Sequence, residues 1–187
     1  MAATATVEQT AGPSIDTLET ILNVTYTWGY TETREKLRDL YTKAKHGQWI
    51  PEEVLPWDAD VDMEKPMGPD QLLPLHGSAI WDRMSEKERT VVNMETSAWT
   101  LSQFLHGEQG ALLAAAQLVD AVPDLDSKLY GATQVVDEAR HVDVYNRYLH
   151  EKIGFSYPIN THLKTLLDMV LKDSRWDMKF LGMQIMV

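Results

Sequence analysis

An all-α helical bundle is the fold class that the sequence predicts, and three observations predict it. Apolar residues recur at alternating spacings of four and three along two long stretches. A capping box, Ser85-x-x-Glu88, stands where the first of them begins. No strand-like alternation, repeat or glycine-rich phosphate loop occurs in the 187 residues.

The first stretch places Met94, Ala98, Leu101, Leu105, Glu108, Leu112, Ala115 and Val119 on one stripe, where only Glu108 is charged. The second places Gly131, Val135, Glu138, Val142, Tyr145 and Leu149 together, apolar except for Glu138, with His141 one turn further on. Such stripes are the buried seams of a bundle. Pro123 ends the first helix, so the second starts close by and runs antiparallel. At 1.5 Å per residue, Glu108 lies roughly 21 Å from that turn and Glu138 roughly 20 Å. The two carboxylates therefore meet at one height.

Burying ionised carboxylates without partners is costly, so the fold must either supply positive charge or keep them protonated. Glu138 and His141, three residues apart, share a helix face, and carboxylates with an imidazole suit iron, manganese or zinc. A zinc protease is disfavoured, because position 137 is Asp and no His-Glu-x-x-His is present. The alternative without a metal is a helical scaffold in which Glu138 pairs with Arg140 or Arg147, or lies closer to solvent than the stripe implies.

Composition narrows the classes further. Hydrophobic residues make up 44% of a chain long enough for one domain with a sizeable core. A formal net charge of -11 argues against nucleic acid or an anionic membrane as a partner. The absence of cysteine excludes disulfides, iron–sulfur clusters and thiolate zinc sites, leaving oxygen and nitrogen ligands. No apolar run approaches about 18 residues, and residues 1–14 lack the regions of a signal peptide, so a cytoplasmic location is the default.

Glu108, followed after 29 residues by Asp137-Glu138-Ala139-Arg140-His141, resembles the first half-site of the ferritin-like di-iron carboxylate proteins. Those bundles use one Glu from each of two helices and a Glu-x-x-His from each of the other two. The spacing is most similar to the hydroxylase subunits of bacterial multicomponent monooxygenases, with N-oxygenases and ribonucleotide reductase small subunits as neighbours. The resemblance spans about residues 85–153, and the run Lys43-Ala44-Lys45-His46-Gly47-Gln48-Trp49 is similar to the lead-in of several such enzymes. It implies a ferritin-like bundle, with Glu108 a terminal or bridging carboxylate, Glu138 the bridging one and His141 the nitrogen ligand. It also implies that Asp137 hydrogen-bonds the histidine of the opposite half-site. The implied activity is dioxygen activation by a di-iron oxygenase or oxidase acting on a small-molecule substrate, with a reductase as electron donor. Ferritin-like iron oxidation and storage is the alternative, and a non-catalytic helical subunit or fragment is a third.

The family pattern needs a second Glu and a second Glu-x-x-His, and neither follows His141. The last residues read as an apolar helix without a stop signal. The expectation is therefore the N-terminal half of a bundle, completed by a missing C-terminal half or by a second copy of the chain.

In chain order, residues 1–14 read as a disordered arm and 15–187 as the helical domain. Asp16-x-x-Glu19 opens a helix through Leu18, Leu22 and Tyr26, interrupted at Gly29, and Thr31 caps a continuation that stops at Gly47. Residues 48–77, with Trp49, Trp57 and several prolines, read as a long ordered loop whose aromatic residues pin it across the bundle. Asp124 or Asp126 caps the second seam helix, which ends near Gly154. A shorter helix runs through Leu163, Leu166, Leu167 and Val170, and 173–177 break it before the final apolar segment. His46, His76, His106, His150 and His162 read as surface or supporting residues.

Overall fold

The longest helix begins where the capping box predicts. In the computed structural model, which describes residues 15–186, Ser85 Oγ accepts from Glu88 N while the Glu88 carboxylate accepts from Ser85 N. This helix, α3 in chain order, covers Glu86–Ala121. Before it come α1 (Glu35–His46) and the single turn α2 (Pro51–Val54); after it come α4 (Leu125–Arg147), α5 (Thr161–Lys172) and α6 (Trp176–Leu181). No strand occurs among the described residues. The arm expected at 1–14 lies outside them.

Val122 and Pro123 separate α3 from α4, and Asp124 caps α4 through Ser127 N at 2.9 Å. The tight turn makes α3 and α4 the central antiparallel pair; α1 lies against α4, and α5 and α6 lie against α3. Beyond Arg147 the coil widens into a π turn, Tyr148–Ile153, which closes with Gly154 N donating to Leu149 O at 2.8 Å. Gly154 ends it at φ 90°, a left-handed conformation that favours glycine.

Two apolar clusters form the core. Ala114, Leu167, Val170, Leu171 and Met183 join α3, α5 and the segment after α6. Ala98, Leu149 and Ile153 join α3 to the π turn. α3 contributes mainly small side chains here, and Gly110 is the extreme case. A Cβ on Gly110 would stand 2.5 Å from Leu167 Cδ2, 2.9 Å from Cδ1 and 3.1 Å from Cγ.

The helix expected through Leu18, Leu22 and Tyr26 does not form. Residues 15–30 have no regular secondary structure. β-branched Ile, Val and Thr crowd 15–27 and disfavour a helix, while contacts with the bundle hold the segment. Asp16 pairs with Lys164 at 2.8 Å, Thr25 N donates to Asp120 O at 2.9 Å, and Thr27 Oγ1 donates to Pro123 O at 2.6 Å. The continuation does form as α1, with Arg34 at its N-cap in place of Thr31. Its first amides are satisfied from a distance: the buried Asp126 Oδ2 accepts from Thr33 N at 2.8 Å and Arg34 N at 2.9 Å, and Oδ1 pairs with Arg38 at 2.5 Å. These backbone donors, with Arg38, outweigh burial and lower the carboxyl's pKa.

The 48–77 loop is pinned by its tryptophans, as expected, but through cations on α4. Arg140 lies 5.1 Å from the Trp49 ring and Arg147 lies 4.2 Å from Trp57. Further along, buried Asn93 accepts from Met67 N and donates to Gly68 O at 2.8 Å and Asp70 Oδ1 at 2.9 Å. The break before α6 is shorter than 173–177: α6 already begins at Trp176.

Two glycines three residues apart on α3 should respond oppositely to alanine. Gly110→Ala gains about 1 kcal/mol of helix propensity. Overpacking against Leu167 costs about 1–3 kcal/mol, so the net effect is destabilising. No heavy atom lies within 4 Å of a Cβ on Gly107, so Gly107→Ala should stabilise by about 0.5–1 kcal/mol. Urea unfolding of the metal-free variants checks both signs.

Candidate metal centre

Glu108 sits in the interior of α3, and Glu138 and His141 sit one turn apart on α4. The antiparallel turn brings the three together. His141 Nδ1 lies 3.2 Å from Glu108 Oε2 and 3.0 Å from Glu138 Oε2, and one ligand atom from each residue falls within 4.8 Å of the others. The side chains are 24%, 14% and 43% exposed for Glu108, Glu138 and His141. Their seam is thus half-buried, with the imidazole toward the open side. Among the described residues this is the sole such group of three.

The electrostatics follow from that geometry. Burial raises the pKa of Glu138, the neighbouring Glu108 carboxylate raises it further, and the imidazole opposes both. Two carboxylates facing one imidazole nitrogen bring like charges together, and proton uptake by Glu138 relieves the repulsion. Tyr145, one turn beyond His141, is also raised, by burial and then by the Glu108 charge. Its ring tilts against Phe104 with centroids 6.0 Å apart.

The arginines do not take the role that the metal-free alternative requires. Arg140 binds Asp137 at 2.7 Å and also Gln48, and Arg147 binds Glu151 at 2.9 Å. Glu138 has neither as an ion-pair partner among the described residues. Asp137, expected to serve a second histidine, is here held by Arg140 on its own helix. His46, His76, His150 and His162 are exposed, and His106 hydrogen-bonds Tyr157 O through Nε2 at 2.9 Å.

An open cavity of about 560 Å³ adjoins the cluster between α3, α4 and α5. Two buried polar residues of α3, absent from the seam reading, build its frame. Ser102 Oγ accepts from Tyr157 N at 2.9 Å; Gln103 donates to Pro158 O at 3.0 Å and accepts from Asn160 N at 2.8 Å. Tyr157 also donates to Glu95, which pushes its phenol up to about 12. On the other side of the core, fully buried Lys179 donates to Val170 O at 3.1 Å, Leu171 O at 2.8 Å and Gln117 Oε1 at 2.7 Å. It satisfies carbonyls at the end of α5, and burial lowers its pKa. Of the buried polar residues only Asp126 was named from the sequence, as the alternative to Asp124 for the cap that Asp124 takes.

A helical bundle in which two carboxylates and an imidazole converge from neighbouring helices defines the ferritin-like di-iron carboxylate class. Residues 30–183 match the family described as p-aminobenzoate N-oxygenase AurF, and the chain belongs to that family. The match extends well beyond residues 85–153 and selects the N-oxygenases, which the spacing had placed behind the multicomponent monooxygenases as neighbours. No curated protein and no solved structure matches the chain.

Because Glu138 binds its proton more tightly folded than unfolded, metal-free stability should fall as pH rises from the ordinary carboxylate range through the raised value. Glu138→Gln should remove that slope and leave the metal-free protein as stable at neutral pH, or more so. Thermal melts from pH 4 to 8 check this. A large loss of stability in Glu138→Gln would identify a structural ion pair instead.

Proposed function

We propose that the chain is a non-haem di-iron oxygenase whose Glu108, Glu138 and His141 hold iron, and that it oxidises the nitrogen of an amine with dioxygen. The observation that carries this reading is the convergence of the three ligand atoms within 4.8 Å, in a chain of an N-oxygenase family. The residues fit the metal: two carboxylate oxygens and one imidazole nitrogen are a suitable iron donor set. Family membership favours iron over manganese. Iron bound there supplies the dioxygen chemistry, with two external electrons from a reductase, two protons, and water as the product of the second oxygen atom.

The chain's own residues prepare the site. Glu138, with its raised pKa, would give up its proton to a bound cation, so metal uptake should weaken as pH falls through that raised value. His141 would hold the metal through a ring nitrogen, with its orientation already set by the Nδ1 contacts to the two carboxylates. The Gln103 and Ser102 contacts hold the 157–160 segment against α3 and keep the cavity beside the cluster formed. Three ligands are half of the six that a two-metal centre of this class uses. We propose that the other three come from a second copy or from a further polypeptide segment.

Anaerobic ferrous titration of the full chain, read by metal analysis after desalting, should give about one iron per chain, lost in Glu138→Ala and His141→Ala. Retention of iron in both variants would place the metal elsewhere. Sedimentation with and without iron separates the two sources of the remaining ligands: an iron-dependent dimer with two irons per pair means a shared site.

A further inference from the structure

Met183 stands in the wall of the cavity that holds Glu108, Glu138 and His141, and among the described residues it is the one sulfur-bearing side chain of that lining. Cysteine is absent from the chain, so thioethers are its only sulfur. Met183 is 8% exposed and packs with Ala114, Leu167, Val170 and Leu171. The backbone around it is fixed by α5. At Gly182 a Cβ would stand 2.8 Å from Val170 Cγ2, so glycine lets the turn after α6 approach α5 closely. One turn earlier, buried Lys179 ties α6 to the carbonyls of Val170 and Leu171. The core therefore holds this thioether against the cavity that contains the metal ligands.

Other methionines have the opposite setting. Met63, Met169 and Met178 are 43%, 65% and 38% exposed, and none of them lines this cavity. A thioether takes up one oxygen atom at a sulfur lone pair without losing a substituent, which makes methionine a ready acceptor for a two-electron oxidant. An oxidant in bulk water meets Met169 first. One generated at the cluster meets Met183 first.

Resting on the di-iron reading above, we infer that Met183 is an internal oxygen acceptor, converted to its sulfoxide when iron at the cluster activates dioxygen with no amine in the cavity. The O–O bond breaks, one atom forms the S–O bond as sulfur gives up two electrons, and the other leaves as water with two protons and two electrons from an external reductant. The product is polar, and it stands in the apolar cluster that joins α3 and α5 to the turn after α6. Turnover without substrate thus damages the wall of its own cavity.

In the test, the full chain is loaded with ferrous iron, exposed to isotopically labelled dioxygen with ascorbate and catalase, and mapped by peptide mass spectrometry. Met183 should gain one labelled oxygen to an extent at least about tenfold above Met169. In the metal-free chain treated with dilute hydrogen peroxide the order should reverse, with Met169 and Met63 oxidised before Met183. Met183→Leu conserves volume and should retain iron. After the aerobic treatment the melting midpoint of the natural chain should fall by about 5 °C or more, while that of Met183→Leu should not. An unmodified Met183 in an iron-loaded chain that consumes dioxygen overturns the inference, as does oxygen placed on Trp99 or Phe104 instead, or equal oxidation of Met169. Failure of the di-iron reading registers separately, as a chain that retains no iron or consumes no dioxygen, and it takes the inference with it.

Discussion

Two carboxylates held at one depth between antiparallel helices, with one imidazole reaching both, are the constraint on which the rest of this structure depends. Like charges at that separation are unfavourable in a half-buried setting, so helix register has to hold them there against repulsion. The short turn at Val122 and Pro123, together with the Asp124 cap, sets that register. The Ser85 capping box secures the far end of α3. A slip of one residue on either helix would rotate its ligand by about 100° and disperse the cluster.

Around this pair the bundle relies on close backbone approach and on buried polar contacts. The α3 face toward α5 is built from Gly110, Ala111 and Ala114, so Leu167 and Val170 sit close to its backbone. Small side chains bury little apolar area each. Directional contacts supply the specificity that a large core otherwise would. Asn93 holds the 67–70 segment, Ser102 and Gln103 hold 157–160, Asp126 organises the start of α1, and Lys179 closes the end of α5. Each brings a connecting segment onto a helix, and the 157–160 segment borders the cavity through Asn160.

The outer face of α4 shows how the site and the lead-in are coupled. Arg140, between Glu138 and His141 in sequence, points away from them to Asp137, Gln48 and Trp49. One turn of α4 thus presents ligand atoms on one side and an anchor for the 48–57 segment on the other. Successive helix residues diverge by about 100°, which makes this division of labour available to neighbouring positions. Membership of the N-oxygenase family covers both parts, since the match runs from residue 30 to 183.

The sequence by itself determined the all-α class, the α3 and α4 helices with their caps, and the meeting of Glu108, Glu138 and His141. These follow from local rules: periodicity, capping chemistry, and the rise per residue counted from a proline. The same rules misread residues 16–26, where Asp16 and Glu19 imitate a capping box but tertiary hydrogen bonds and β-branched residues prevail. Only the tertiary structure decided that Asp126 serves α1 from across the bundle, that Lys179 is buried, that the tryptophans stack on α4 arginines, and that a cavity opens beside the cluster. Each of these joins residues far apart in the chain, and no periodicity records which distant segment will supply the partner.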